Sequence, residues 1–497
     1  HVESAMVTLP RYGAAVVPRG VTSIVTDPHE IANVLGASGV RAHLADAAET
    51  PLKARFTVPS SVPATDMQDS GAAIGPAAVA ELLEEPDVVA LGEVMDIPGV
   101  LSGDPAVHAK IQAARERELP VDGHLPRVTG SDLQTVARHL DSDHESIALE
   151  EARAKVDAGL RVYLREGTAS RNLADLADLV EDVDSRRLSL CTDDRDVVDL
   201  IEHGGIDFAV RKAIDLGVDP VEAIQLATLN TAEAYGLPFG RLAPGAPADL
   251  VLLSDLGSWT VEHVVIDGEL DPTVSRGEPP ATEIATDTVD FDPVDAADFA
   301  LSAPTPSADT VKARVVDAVG GLQTAKMTAE VPVEDGRLAA DPGIDVLHLA
   351  VIERHGGDGG IGRGFVHNLG LDRGAIASTV AHDAHNLVVA GVDPASMAAV
   401  ANHLRDIGGG IAAYDPEAGQ VTDLPLPVAG LMSDAPLSAV GEGFEAVETA
   451  ARDLGLDHDG GIMELSFLSL EVIPEYRLTN NGLVDVAAAE FVDVVAG

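Results

Sequence analysis

Cysteine is almost absent from this chain: Cys191 is the single one in 497 residues. An internal disulfide framework is therefore excluded, and a lone thiol fits a reducing compartment. Lysine is scarce too. Only Lys53, Lys110, Lys155, Lys212, Lys312 and Lys326 occur, against 32 cationic side chains in all. Aromatic residues make up 3% of the chain, with one tryptophan. No apolar run approaches the roughly 18 residues that a membrane-spanning helix needs. No secretory signal is visible, so the cytoplasm is the expected compartment. The first residue is His1 rather than an initiator methionine, and an upstream segment is expected to be missing.

Acid is what the chain has in excess. Asp and Glu number 82 and the net charge is -50. Such a surface repels nucleic acid and anionic membranes, which excludes both as default partners. An acidic chain poor in lysine and aromatics reads as one kept soluble at high salt, where screening removes most of the self-repulsion. Hydrophobic residues are 46% and charged residues 23%, ordinary values for a globular protein. At about 100–200 residues per domain, the length accommodates two to four domains.

From residue 1 to about 235 one pattern recurs. A short apolar, β-branched run ends in a polar cluster, and a helical stretch follows. Thr22–Thr26 ends in Asp27-Pro28-His29-Glu30, and Arg55–Val58 in Pro59-Ser60-Ser61. Val88–Gly92 ends in Glu93, Pro120–Val121 in Asp122-Gly123-His124, and a weaker run in Ser142-Asp143-His144-Glu145. Val162–Leu164 ends in Arg165-Glu166-Gly167 and Leu188–Cys191 in Thr192-Asp193-Asp194. Alternating strand and helix predicts a parallel α/β sheet. Seven such units in one stretch predict a (β/α)8 barrel lacking its first strand, with His1 at the end of that strand. In such barrels the C-terminal strand ends carry the active site.

The barrel is expected over residues 1–236 and a partial β-sandwich unit over 237–272. A linker rich in Pro, Thr, Asp and Ala is expected over 273–312, and a C-terminal α+β domain over 313–497. That last domain holds a strand candidate at Val346–Ile352, a glycine-rich loop at Gly356–Gly364 and an amphipathic helix at Pro394–Ile407. The loop lacks the G-x-G-x-x-G spacing of a dinucleotide turn and reads as a flexible connection.

His1, Glu93, His124, His144 and Asp193 or Asp194 all fall at strand ends of the barrel. A His or Asp at one strand end is ordinarily a turn or cap residue. Unrelated turn residues have no reason to be His or acid at so many ends, so the set reads as a metal site. Imidazole with carboxylate suits borderline divalent metals such as Zn, Mn or Fe, and a carboxylate can bridge two of them. His382, Asp383 and His385 form a second cluster, which alone is a weak metal site or a capped turn. Cys191 sits in an apolar strand and reads as inert packing.

The segments HVESAMVTLP at residue 1, DPHEIANVLG at 27, PSSVPAT at 59, LGEVMDIPGV at 91, DGH at 122, SDHE at 142, REG at 165 and CTDDR at 191 occur in that order. DPVEAIQLATLN at 219, ADLVL at 248, AHDAHN at 381, GLMSD at 430 and IPEYRL at 473 follow. In this order and spacing the set resembles the bacterial and archaeal adenine deaminases of the amidohydrolase superfamily, from His1 to about Asp485. The resemblance implies one or two divalent metals per subunit, with two expected, Mn or Fe favoured and Zn possible. It implies His1, Glu93, His124, His144 and Asp193 as ligands, with Glu93 bridging and Asp193 also moving protons. Asp194 is the second choice for that aspartate. Glu30 and Glu166 are implied as proton sources for the purine ring, and His29, Arg165, His382, Asp383 and His385 as substrate contacts.

The implied reaction is hydrolysis of adenine to hypoxanthine and ammonia, in purine salvage, by a small-molecule enzyme expected to be a homo-oligomer. Ala5, Gln68 and Arg127 depart from the family pattern, and none of them replaces a ligand. The competing readings are another amidohydrolase acting on a different cyclic amide or aminated ring, and an inactive subunit truncated at its N-terminus. AHDAHN, GLMSD and IPEYRL favour the deaminase.

Overall fold

The computed structural model describes residues 1–256, 259–274, 285–357 and 359–496. The chain forms two units. One holds residues 1–32, 37–62 and 74–281; the other holds 33–36, 63–73 and 282–497.

The first unit is built on seven strands, at the seven places the apolar runs predict. They are β1 (Ser23–Thr26), β2 (Lys53–Val58), β3 (Val88–Val94), β4 (Val121–Gly123), β5 (Ser142–Asp143), β6 (Arg161–Arg165) and β7 (Leu188–Cys191). They pair in parallel as β1-β2-β3-β4 and β5-β6-β7. In β6, Val162 and Leu164 pack on Leu173, Leu176, Val210 and Leu226 of the covering helices. The alternate residue Tyr163 lines the interior instead, as the two-residue period of a strand requires. Two helices open on an Asp-Pro pair. Asp104 and Asp219 each accept two backbone N–H groups, with Pro105 and Pro220 in the first turn.

Between β4 and β5, side chains replace the backbone ladder on one side. The Val121 N–H donates to Asp141 Oδ2 at 2.8 Å, Gly123 N–H to Ser142 Oγ at 3.4 Å and Leu125 N–H to Asp143 Oδ1 at 2.9 Å. One carboxylate or hydroxyl thus meets every second amide of β4. On the far side of the sheet, β1 and β7 are not paired to each other among the described residues. Residues of both line one cavity of about 210 Å³, which also reaches His1, Glu93 and His144. This is the curled parallel sheet of a barrel short of one strand. A three-stranded antiparallel sheet follows, of β8 (Leu250–Leu253), β9 (Val261–Ile266) and β10 (Glu269–Leu270). Lys53 of β2 ties it down, with its Nζ 2.7 Å from Asp249 and 2.6 Å from Asp267.

The second unit carries a ten-stranded sheet in the order β11-β14-β13-β12-β16-β15-β18-β17-β19-β20. Its strands are β11 (Leu301–Ser302), β12 (Thr310–Gly320), β13 (Gln323–Glu334), β14 (Arg337–Leu338), β15 (Val346–Ile352), β16 (Ile361–His367), β17 (Ala375–Ser378), β18 (Leu387–Gly391), β19 (Gly410–Asp415) and β20 (Gln420–Pro425). Only β12 and β16 run parallel. The helix Pro394–Asp406 covers one face through Met397, Val400 and Leu404. Two expectations change here. Residues 285–312 are not a linker: Phe299 is buried in the core with Ala350 and Val389, and Val294 exchanges hydrogen bonds in both directions with Asn402. A few anchors suffice in a segment whose average composition looks loose. Residues 275–284 of that span lie outside the described residues. The glycine-rich run is no free loop in its second half, where it becomes β16. A Cβ on Gly362 would lie 1.8 Å from the Thr479 carbonyl oxygen, so the glycine permits a close backbone approach.

Segment 63–73 is fastened within this unit. Asn386 Nδ2 donates to Asp69 O at 2.7 Å, and Thr65 Oγ1 to Glu471 Oε1 at 2.8 Å. Burial, reinforced by Asp383, pushes the Glu471 carboxyl up to about 7. The folded state therefore keeps a proton that the unfolded chain loses near pH 4.5. Stability from this proton is complete below about 4.5 and is lost as pH rises through about 7. Glu471→Gln should raise the melting temperature at pH 8.5, by an amount equivalent to roughly 2–3 kcal/mol, and leave it nearly unchanged at pH 4.5. Thermal melts at the two pH values check this. An equal shift at both would contradict it.

Candidate active site

Glu93, at the end of β3, organises the site. Its Oε1 lies 3.3 Å from His1 Nε2 and 3.3 Å from His29 Nδ1. Its Oε2 lies 3.0 Å from His124 Nδ1 and 3.3 Å from His144 Nε2. Two imidazoles thus face each carboxylate oxygen. Strand ends bring them there: His124 follows β4, His144 follows β5, and His29 opens the helix His29–Asp46 just after β1. Serine and aspartate outside the cluster fix Glu93 itself. Ser60 Oγ donates to the Glu93 carbonyl at 2.6 Å, and the Glu93 N–H donates to Asp27 Oδ2 at 3.1 Å.

His1 is held in one tautomer. Its Nδ1 donates to the Asp27 carbonyl at 2.7 Å, which turns Nε2 toward Glu93 and toward Asp193 Oδ1 at 3.2 Å. Asp193 sits just past β7 in left-handed backbone with φ 55°, a region aspartate tolerates better than branched residues. Its other oxygen pairs with the Arg165 guanidinium, which also pairs with Glu145. Asp194 accepts from Ser4 Oγ at 2.5 Å and stays close to His1 and Asp193.

The charges are mutually dependent. Burial alone would push the Glu93 carboxyl up, but His144, His1 and His124 hold it well below the usual carboxylate range. Burial would lower His144, and Glu93 overrides it, raising the imidazole to about 9. Asp193 is likewise held low, by Arg165 and His1 against burial. Glu30 goes the other way. Burial and the nearby Glu3 raise it well above its ordinary value. The ligand atoms of Glu93, His124 and His144 lie within 4.8 Å of one another, as do those of His1, Asp193 and Asp194. Nitrogen and anionic oxygen donors converging this closely fit a borderline divalent metal.

Residues 1–270 match the amidohydrolase family, and residues 321–490 match the adenine deaminase C-terminal domain. An adenine deaminase of Desulfatibacillum aliphaticivorans is 42% identical over 504 residues, covering 99% of this chain and 87% of that protein. The chain belongs to the adenine deaminase family. An adenine deaminase of Methanothermobacter thermautotrophicus is 43% identical over 494 residues, covering 99% of this chain and 90% of that protein. One of Salinibacter ruber is 42% identical over 499 residues, covering 99% and 89%.

Of the residues the sequence singled out for an adenine deaminase, His1, Glu93, His124, His144 and Asp193 meet in one cluster. His29, expected as a substrate contact, reaches the same Glu93 oxygen as His1, with the two ring centroids 4.3 Å apart. Arg165, also expected to touch substrate, spends its guanidinium on Asp193, Glu145 and Ser170 and is 2% exposed. Glu166 is not brought to the cluster by any of its polar contacts. Both its oxygens accept from Lys212 Nζ, at 2.7 and 2.8 Å.

In the second unit, His382 stacks on Phe467 with ring planes 4° apart. His385 turns inward: its Nδ1 accepts the Ala381 N–H at 3.2 Å, and its carbonyl accepts from Arg354 at 2.5 Å. Asp383 is buried beside His382, with its Oδ1 3.9 Å from the His382 Nδ1. Sequence reasoning assigned no role to Asp27 or Glu145, although both lie in the DPHE and SDHE runs. Glu145 Oε1 is 3.5 Å from His144 and 3.8 Å from His124.

Proposed function

We propose that this chain hydrolyses adenine to hypoxanthine and ammonia at the Glu93 cluster, and that the cluster holds two divalent cations. The observation that carries the reading is one carboxylate with two imidazoles on each oxygen. A lone buried ion pair needs one imidazole; a carboxylate that bridges two cations needs a donor group on each side. His124 and His144 would hold one cation, and His1 with Asp193 the other. His29 stands beside His1 as a further donor. Such cations supply the acidification that makes hydroxide available from water near neutral pH.

This chain's own residues do the rest. Asp193 Oδ1 faces the cluster and is ionised, so it can accept a proton and pass it to the departing amine at C6. Arg165 fixes that carboxylate through its other oxygen. Glu30, whose hold on a proton burial strengthens, can donate one to a ring nitrogen as the purine loses aromaticity. Within the second unit, His385 braces its own turn. Manganese or iron are the metals we favour, and purine salvage is the role.

The test is ammonia release from adenine in high potassium chloride with added manganese. Turnover should disappear on exhaustive chelation, return on adding Mn2+ or Fe2+, and fall about 10³-fold in His124→Ala in parallel with its metal content. Turnover that survives chelation would overturn the metal reading. No turnover of adenine by metal-loaded protein would overturn the substrate. The net charge of -50 also supports adaptation to high salt. Raising KCl from 0.1 to 2 M contracts the screening length severalfold and should raise the melting temperature by roughly 5 °C or more. A flat or falling profile would count against that adaptation.

A further inference from the structure

Lys155 is the least expected buried residue of the first unit. It is one of six lysines, yet its side chain is fully buried in the helix Leu149–Asp157. Its ammonium makes three short hydrogen bonds: to the Leu125 carbonyl at 2.6 Å, Asp143 Oδ2 at 2.9 Å and Glu151 Oε1 at 2.8 Å. The Leu125 N–H in turn donates to Asp143 Oδ1 at 2.9 Å. These contacts close a ring, from Leu125 N–H to Asp143, to Lys155 and back to Leu125 C=O. Leu125 directly follows His124, and Asp143 directly precedes His144.

The same lysine gathers the two loops beyond those histidines. Asp143 Oδ2 accepts the Ser146 N–H at 3.1 Å and its hydroxyl at 2.7 Å. Glu151 accepts the Arg127 N–H at 2.9 Å. Asn172 closes the far side, donating to the carbonyls of His144 at 3.2 Å and Ser146 at 2.9 Å. This junction is also where β4 and β5 lack an ordinary ladder and depend on side chains for pairing. A buried ammonium that ties the residue after one histidine to the residue before another does more than fill space. It fixes the separation of their imidazoles, and groups that orient ligands are worth about 10–100-fold in metal affinity.

We propose that Lys155, through Asp143 and Leu125, is a positioning residue that sets the spacing of His124 and His144 as a metal-binding pair. The inference rests on the metal-site reading above. The experiment measures Zn2+ affinity of the full chain by competition with a chromophoric chelator, together with kcat and KM for adenine and the melting temperature. Lys155→Met should weaken Zn2+ binding about 10–100-fold and lower kcat about as far, with KM within about twofold. The Asp143→Asn, Lys155→Met variant neutralises the fully buried partner as well and leaves only the partly buried Glu151 without its cation, so it guards against failure to fold. It should show the same loss of affinity, because the ring stays open.

Arg115→Met is the control. It breaks the Arg115–Asp141 pair at the other end of the same strands, and should lower the melting temperature without moving Zn2+ affinity. Wild-type affinity and kcat in either folded Lys155 variant would overturn the proposal. So would an equal loss of affinity in Arg115→Met, which would reduce Lys155 to general stability. Zn2+ binding absent from the wild type, or undiminished in His124→Ala, would instead overturn the metal site itself.

Discussion

Glu93→Gln should lower adenine turnover by about 10⁴-fold or more and strip the protein of most of its metal. The argument is one of atoms. A carboxylate offers two acceptor oxygens, and here each faces two imidazole nitrogens. A carboxamide keeps one oxygen and replaces the other with an NH2 that can neither accept nor ligate. One imidazole pair therefore loses its shared partner whichever way the amide turns. The charge is lost as well, in a place that is nine-tenths buried and where His144, His1 and His124 keep the carboxyl ionised against burial. Glu93→Asp separates the two halves of the effect. It keeps the charge but is one methylene short, so it should serve one imidazole pair better than the other and retain about half the metal. Elemental analysis after gel filtration, beside ammonia release, reads both variants. Full metal content in Glu93→Gln would remove Glu93 from its bridging role.

The strands of the first unit were legible because each is a short apolar run that ends in a polar cluster. The weak ones were weak for a structural reason. β4 has three residues and β5 two, since Asp141, Ser142 and Asp143 side chains take over pairing that a longer strand would do with its backbone. The cluster around Glu93 was legible because its members combine strand-end position with residue type.

Direction was not legible. Nothing in DPHE tells whether the first-turn His29 leans toward Glu93 or away from it. Arg165 and Glu166 are neighbours at one strand end, and both looked fit for chemistry. Strand alternation sends the first inward to Asp193, while the second is taken up by a lysine 46 positions later. Lys155 was invisible for a related reason. Glu151 stands at an ordinary i,i+4 helical spacing from it, but the partners that matter are a carboxylate and a carbonyl 12 and 30 residues away, which no spacing in the sequence connects. The span 285–312 was misjudged by averaging, since Val294 and Phe299 hold it in place despite its polar surroundings.

Lys212→Met should be among the most destabilising single changes in the first unit, at about 3–5 kcal/mol. Glu166 is fully buried, and both its oxygens accept from Lys212. Its other cationic neighbour, Arg171, is 3.8 Å away and half exposed. Removing the lysine leaves a fully buried carboxylate with only the half-exposed Arg171 near its oxygens. The melting temperature should fall by roughly 8 °C or more. Glu166→Gln added to Lys212→Met removes the stranded charge and should recover at least half of that loss, a non-additivity expected of groups in direct contact.

Kinetics on the same double variant decide what Glu166 is for. The resemblance implied a proton source for the purine ring, but both oxygens of this carboxylate already accept from the Lys212 ammonium. If its work is to hold the end of β6, kcat of the double variant below its melting temperature should stay within about tenfold of the wild type. A Glu166→Gln protein that melts like the wild type but loses about 10³-fold or more in kcat would return Glu166 to the reaction, with Lys212 as the group that sets its charge.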